Sequence, residues 1–217
     1  MNQLIFKFPF KTNYFEEDFY VSKNNFEAYK LIESWPKWSS RFINIFGPSG
    51  CGKTHLANIF SKKINSFFIK ASNLNSDSLS DIKIKECLII DEYKNNIEEK
   101  LFYSVLNQSH LSNQCIIINS LKPIQSFEVK LKDLKSRFSS FVNISIDLPT
   151  DELIKVIISK NFSDKQVKMD IKLLEYILKN IDRSYKGIFD LIDKLDDFSL
   201  STGKSININL IKKALNK

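Results

Sequence analysis

The chain has 217 residues, 43% hydrophobic and 26% charged, the make-up of a folded protein with one core and room for a small second domain. Nothing in it approaches the ~20-residue apolar run that spans a bilayer, and "MNQLIFKFPFK" lacks a signal-peptide layout, so neither a membrane nor a secreted protein is expected. The net charge of +7 is spread, 19 basic against 15 acidic groups in 1–150 and 13 against 10 in 151–217, which argues against a dedicated nucleic-acid arm. Three cysteines, at 51, 87 and 115, suggest reduced thiols and a bacterial-type cytoplasm.

In chain order, "QLIFKF" (3–8) is strand-like and apolar. "FINIF" (42–46) is the first of five short runs suited to buried strands. It leads into "GPSGCGKT", which matches G-x-x-x-x-G-K-[ST] and opens the helical stretch "HLANIFSKKI". Gly47, Pro48, Ser49, Gly50, Cys51, Gly52, Lys53 and Thr54 therefore form a phosphate-binding loop. Its amides and helix N-terminus face the anion, Lys53 reaches the β- and γ-phosphates, and Thr54 binds Mg²⁺.

"SFFIK" (66–70) is the second strand and "CLIID" (87–91) the third. Asp91, at the end of an apolar strand, is placed for the Mg²⁺ shell, and Glu92 for orienting or deprotonating a water. "CIIIN" (115–119) puts Asn119 at another strand tip, with Ser120 as its rival for a γ-phosphate contact. "LKSRF" (134–138) holds Arg137, one of three arginines among 32 basic residues, before the strand "VNISI" (142–146). After "DLPTDE" the strand signals stop. Ile171, Leu174, Leu178 and Ile181 follow helical spacing, as do Ile188, Leu191, Ile192 and Leu195. The pattern predicts an α/β fold with a parallel five-stranded sheet flanked by helices, then a small all-helical domain. His55 and His110 lack metal-ligand spacing and are expected in packing or surface roles.

P-loop, acid pair, polar strand tip, "SRF" and helical lid stand in the order of the AAA+ family, which the chain resembles over nearly its whole length. "GCGKTHLAN" and "LKSRF" resemble the nucleotide-binding module of DnaA, while the helix-turn-helix domain that would follow the lid has no room before Lys217. That layout is similar to Hda-type regulatory inactivators of DnaA, and "IESWPKW" (32–38) and the stretch Leu191 to Leu215 add to the likeness.

The resemblance implies three parts: an N-terminal clamp-binding segment (1–15), an AAA+ domain (16–149) and a lid (150–217). It implies ATP or ADP with Mg²⁺ as cofactors, and DnaA and the DNA polymerase III sliding clamp (β subunit) as partners. DNA would be met only through the clamp, and a homo-oligomer is compatible with it. Gln3, Leu4, Phe6 and Phe8 would contact the clamp, although "LIFKF" also suits a strand packed on its own core. Arg137 would be the finger directed at ATP on DnaA, with Asp133 standing where DnaA has a further arginine. Lys186 replaces the lid's sensor arginine, keeping charge but losing the fork, with Arg183 one turn away as a partial substitute. Tyr20 and Val21 fall on the adenine-side segment. Intrinsic hydrolysis is expected to be weak at most. The rival functions are a DnaA-like helicase loader that binds DNA and an ADP-bound adaptor without a finger.

Overall fold

The computed structural model describes residues 14–165, 167, 169–202 and 205–215. The expected clamp segment, with Gln3, Leu4, Phe6 and Phe8, lies outside them.

Tyr14–Asp147 form one compact unit. In chain order it holds α1 (Phe26–Glu33), β1 (Phe42–Phe46), α2 (Lys53–Lys63), β2 (Ser66–Lys70) and α3 (Ser78–Lys83). There follow β3 (Cys87–Tyr93), α4 (Glu99–Leu111), β4 (Cys115–Ser120), α5 (Lys132–Ser139) and β5 (Val142–Ser145). All five strands are parallel, in the order β2-β3-β4-β1-β5. Parallel neighbours need crossovers, and helices on both faces explain why β3 and β4 read as unbroken apolar runs.

On one face Phe42, Leu88, Ile90, Ile116 and Ile118 pack with Ile82 of α3, Phe102, Val105 and Leu106 of α4, and Leu134 and Phe138 of α5. The pleat turns Ile43, Ile45, Ile89 and Ile117 to the other face, where they are fully buried. There Leu56, Ala57, Ile59 and Phe60 of α2 are also buried, and Trp35 and Trp38 pack on Phe60 with centroids at 5.6 and 5.0 Å. The run "VNISI" is no buried strand: β5 is a sheet edge with Val142, Asn143 and Ser145 exposed. All three cysteines are buried free thiols.

The described residues of the second unit after Leu148 are all-helical: α6 (Asp151–Asp164), α7 (Ile171–Asn180), α8 (Tyr185–Thr202) and α9 (Ile208–Ala214). Thr150 caps α6, its Oγ1 accepting from the Leu153 amide at 3.3 Å, which stops the chain from continuing as strand. Ile154, Ile158, Phe162, Ile177, Ile188, Ile192 and Leu195 form its core. One expectation is corrected here. Ile171 is 72% exposed, and Ile177 carries the buried face of α7 instead. Ile171 opens the helix, where no preceding turn covers it.

No described helix is long and apolar enough to cross a membrane.

Candidate functional site

The P-loop runs from the end of β1 into α2. Gly47 is required by space, because a Cβ there would lie 2.3 Å from the Ile146 carbonyl oxygen. Gly52 has φ +99°, a left-handed conformation, and a Cβ would meet the Phe19 ring at 2.9 Å. The first turn of α2 holds no acidic residue, so its unpaired N–H groups and dipole offer an anion an uncontested positive end. Lys53 Nζ donates to the Gly47 and Pro48 carbonyl oxygens at 2.7 and 2.8 Å and is not ion-paired among the described residues. Burial pushes the Cys51 thiol up, opposed by the adjacent Lys53 ammonium, so this loop cysteine stays a thiol.

Beside the loop, Asp91 gathers its neighbours. Its carboxylate accepts from Thr54 Oγ1 at 2.8 Å and from Asn119 Nδ2 at 2.8 Å, and it is only 3% exposed. Thr54, Asp91 and Asn119, read from three separated motifs, thus form one hydrogen-bonded cluster at the carboxyl ends of β3 and β4. Ser120, the rival of Asn119, faces away: it donates to the Lys122 carbonyl and accepts from Asn44. Asn119 Oδ1 is buried with no partner among the described residues. Such an acceptor costs about 1–3 kcal/mol until a donor reaches it. A hydroxyl and a carboxylate 2.8 Å apart beside a phosphate loop suit Mg²⁺, which takes one or two carboxylates plus phosphate oxygens and water.

Glu92 stands outside this cluster. A register shift between Ile90 and Tyr93 gives it φ +58°, and its exposed carboxylate pairs with Lys70 Nζ at 2.7 Å. That hydrogen bond, with the Glu92 charge, holds the Lys70 ammonium above its usual range. Tyr20 is 46% exposed; Phe19 is the residue against the loop, at Gly52. Phe19 also stacks on Tyr29 at 6.0 Å and meets the His55 ring edge-on at 5.3 Å, a packing role for His55. In the helical unit, Lys186 is exposed in the first turn of α8, and Arg183 pairs with Asp151 at 3.3 Å.

Arg137 sits elsewhere. Leu134 and Phe138 anchor α5 in the core, Phe138 against Phe102 and Tyr93, which leaves Arg137 half-buried on the adjacent face. Its Nη2 donates to Asn107 Oδ1 on α4 at 2.6 Å. Glu99 holds the other end of α5. Its carboxylate accepts from the Lys130 amide at 2.9 Å and the Leu131 amide at 2.7 Å, which keep its pKa below the ordinary value. Arg137 shares a pocket with Ser40, Arg41, Phe42 and Gln114, at the amino-terminal edge of the strands. Gly47 lies at the carboxyl end of β1, so strand rise alone separates Arg137 from its own P-loop by roughly 15–20 Å.

A parallel sheet in this order, with a P-loop after its first strand, an acid on its third and a helical unit following in the chain, defines an AAA+ nucleotide-binding module. Comparison with known proteins narrows it. Residues 151–215 match the family described as "Hda, lid domain", and residues 43–142 match one described as "RNA helicase". The initiator protein DnaA of Borreliella afzelii is 25% identical, over 97% of this chain and 49% of that protein. Domain III of Thermotoga maritima DnaA superposes with a TM-score of 0.77 at 22% identity, over 96% of this chain and 98% of that one. AMPPCP-bound DnaA from Aquifex aeolicus gives 0.67 at 21%, over 86% and 66%. Together these matches support an Hda-type, DnaA-related AAA+ protein. It spans about half the length of the DnaA relatives it matches.

Proposed function

We propose that this protein binds ATP or ADP at residues 47–54 and acts in trans, Arg137 promoting hydrolysis of ATP held by DnaA and so lowering the active initiator. The observation that carries the reading is the seat of Arg137, on a core-anchored helix at the strand ends opposite its own phosphate loop. An arginine there serves a neighbour's nucleotide better than its own. Arginine fingers supplied in trans raise phosphoryl-transfer rates by ~10³–10⁵ in GTPases, by stabilising charge on the transferred group.

On the chain's own nucleotide, Lys53 and the loop amides would hold the phosphates. Thr54 and Asp91 would hold Mg²⁺, which neutralises phosphate charge when bound. Asn119, with a free buried acceptor, would orient a water or the γ-phosphate. The Lys70 pairing of Glu92 and the lysine at 186 support slow intrinsic turnover, with a bound nucleotide acting mainly to fix the conformation. Relatives bearing the DnaA name, one bound to AMPPCP, support both the nucleotide and the replication context. Residues 3–8 would dock on the sliding clamp, bringing the protein to DNA indirectly.

The test is the rate at which DnaA turns over its bound ATP, with clamp loaded on DNA or omitted. Clamp-dependent acceleration that is lost in Gln3→Ala/Phe6→Ala supports the reading. Acceleration unaffected by clamp and by that variant removes the clamp from it, and no acceleration at all refutes the regulatory role.

A further inference from the structure

The chain spends arginine sparingly: Arg41, Arg137 and Arg183, against 29 lysines. Arg183 has a carboxylate partner in Asp151. The other two come from distant parts of the sequence, the residue before β1 and α5, and line one pocket of about 280 Å³. His110 lines it too, and among the described residues no carboxylate does.

Among the described residues, each of these two guanidinium groups makes a single hydrogen bond, to a neutral acceptor. Arg41 Nη1 donates to the Asn113 carbonyl oxygen at 2.7 Å, and Arg137 Nη2 to the Asn107 amide oxygen at 2.6 Å. Neither is ion-paired among the described residues. A guanidinium carries five N–H donors, so most of the donor capacity of both forks is open. Two permanent like charges in one recess without a counter-ion repel each other, and an oxyanion converts that repulsion into two charge-assisted contacts. Lysine would supply the charge but not the planar, bidentate match to phosphate oxygens.

We infer that this pocket is a two-arginine receptor for the polyphosphate of a nucleotide held by a partner protein, with Arg41 as a second arginine contact beside Arg137. The inference rests on the trans reading of Arg137 and extends it. The ligand is a compact polyphosphate, because both arginines line one recess. A nucleic-acid backbone calls for positive charge along an extended track, and the charge of this chain is dispersed. Arg41 also steadies the turn between α4 and β4, where Asn113 has φ +58°. Arg41→Gln removes the charge and the fork, and thermal unfolding recorded in parallel separates loss of the turn contact from loss of the pocket charge.

Full-length protein, its P-loop saturated with Mg²⁺ and ADP, is titrated with inorganic triphosphate while the arginine side-chain Nε resonances are followed by NMR. Three arginines give three signals. Those of Arg41 and Arg137 are expected to move with one binding curve while Arg183 stays still, and Arg41→Gln weakens binding about tenfold or more. Signals that stay put at millimolar triphosphate, or unchanged binding in Arg41→Gln, overturn the inference. So do signals that respond more strongly to single-stranded DNA than to triphosphate.

A second arm uses DnaA preloaded with ATP. Loss of most acceleration in Arg41→Gln supports the inference. Acceleration abolished by Arg137→Ala but intact in Arg41→Gln refutes it and leaves the proposed function standing. No acceleration by the wild type refutes the proposed function, and with it the nucleotide assigned to this pocket.

Discussion

Asn107→Asp replaces an amide by a carboxylate of nearly equal volume, 2.6 Å from the Arg137 guanidinium. In the wild type this contact joins a cation to a neutral oxygen, so the arginine can leave it at modest cost. Two unit charges 4 Å apart attract by about 4 kcal/mol at an effective dielectric of 20. Exposed pairs retain only about 0.2–1 kcal/mol of that in measured cycles. Arg137 is half-buried, between these limits. About 1–1.5 kcal/mol of added attraction therefore holds it on α4, and about 1.4 kcal/mol corresponds to tenfold in rate.

If Arg137 must swing off Asn107 to reach a phosphate on DnaA, Asn107→Asp lowers the stimulated hydrolysis about tenfold. Asn107→Ala, which frees the arginine, stays within about threefold of wild type by the same arithmetic. The assay is single-turnover conversion of DnaA-bound ATP, with thermal unfolding recorded in parallel. The Asp variant should unfold no earlier than wild type, so its loss cannot be assigned to misfolding. Full stimulation by a well-folded Asn107→Asp would refute the release step.

Three further outcomes are expected. Thr54→Val leaves the buried Asp91 carboxylate short of one donor, costing about 1–3 kcal/mol of stability in denaturant unfolding, and it weakens the Mg²⁺ dependence of nucleotide binding in a titration. Lys70→Met releases Glu92 from an exposed pair, so the chain's own ATP hydrolysis changes by no more than about fivefold in a steady-state assay. The folded pKa of Glu99 lies below its ordinary 4.5, so its stabilising contribution is complete above 4.5 and disappears as pH falls through the depressed value. Unfolding measured between pH 3 and 6 should therefore show a steeper acid loss for wild type than for Glu99→Gln.

What was legible in the sequence follows the range of the interactions. β3 and β4 are central and covered on both faces, so "CLIID" and "CIIIN" announce themselves by composition alone. The P-loop is legible because its Gly, Lys and Thr stand at a fixed local spacing, with Gly50 and Gly52 at positive φ. Exposure of β5 was not legible, since an edge position depends on the order of all five strands. Nor was the role of Phe19, which meets Gly52 across 33 residues of chain, or of Glu99, which holds backbone amides 31 and 32 residues away. Asn44, the polar residue within "FINIF", carries no local signal of its role. It is a buried tie, donating to the Ile118 carbonyl and accepting from the Ile124 amide. Asn119 was distinguished from Ser120 only by the pleat, which turns one of two adjacent polar side chains toward Asp91.

The central claim is that Arg137 acts on a nucleotide bound by another protein. Labelled ATP is loaded on DnaA alone, and its conversion to ADP is timed with clamp-loaded DNA and either wild type or Arg137→Ala, each confirmed to bind DnaA equally. The account predicts strong acceleration by the wild type and almost none by the variant. Equal acceleration by both would contradict it.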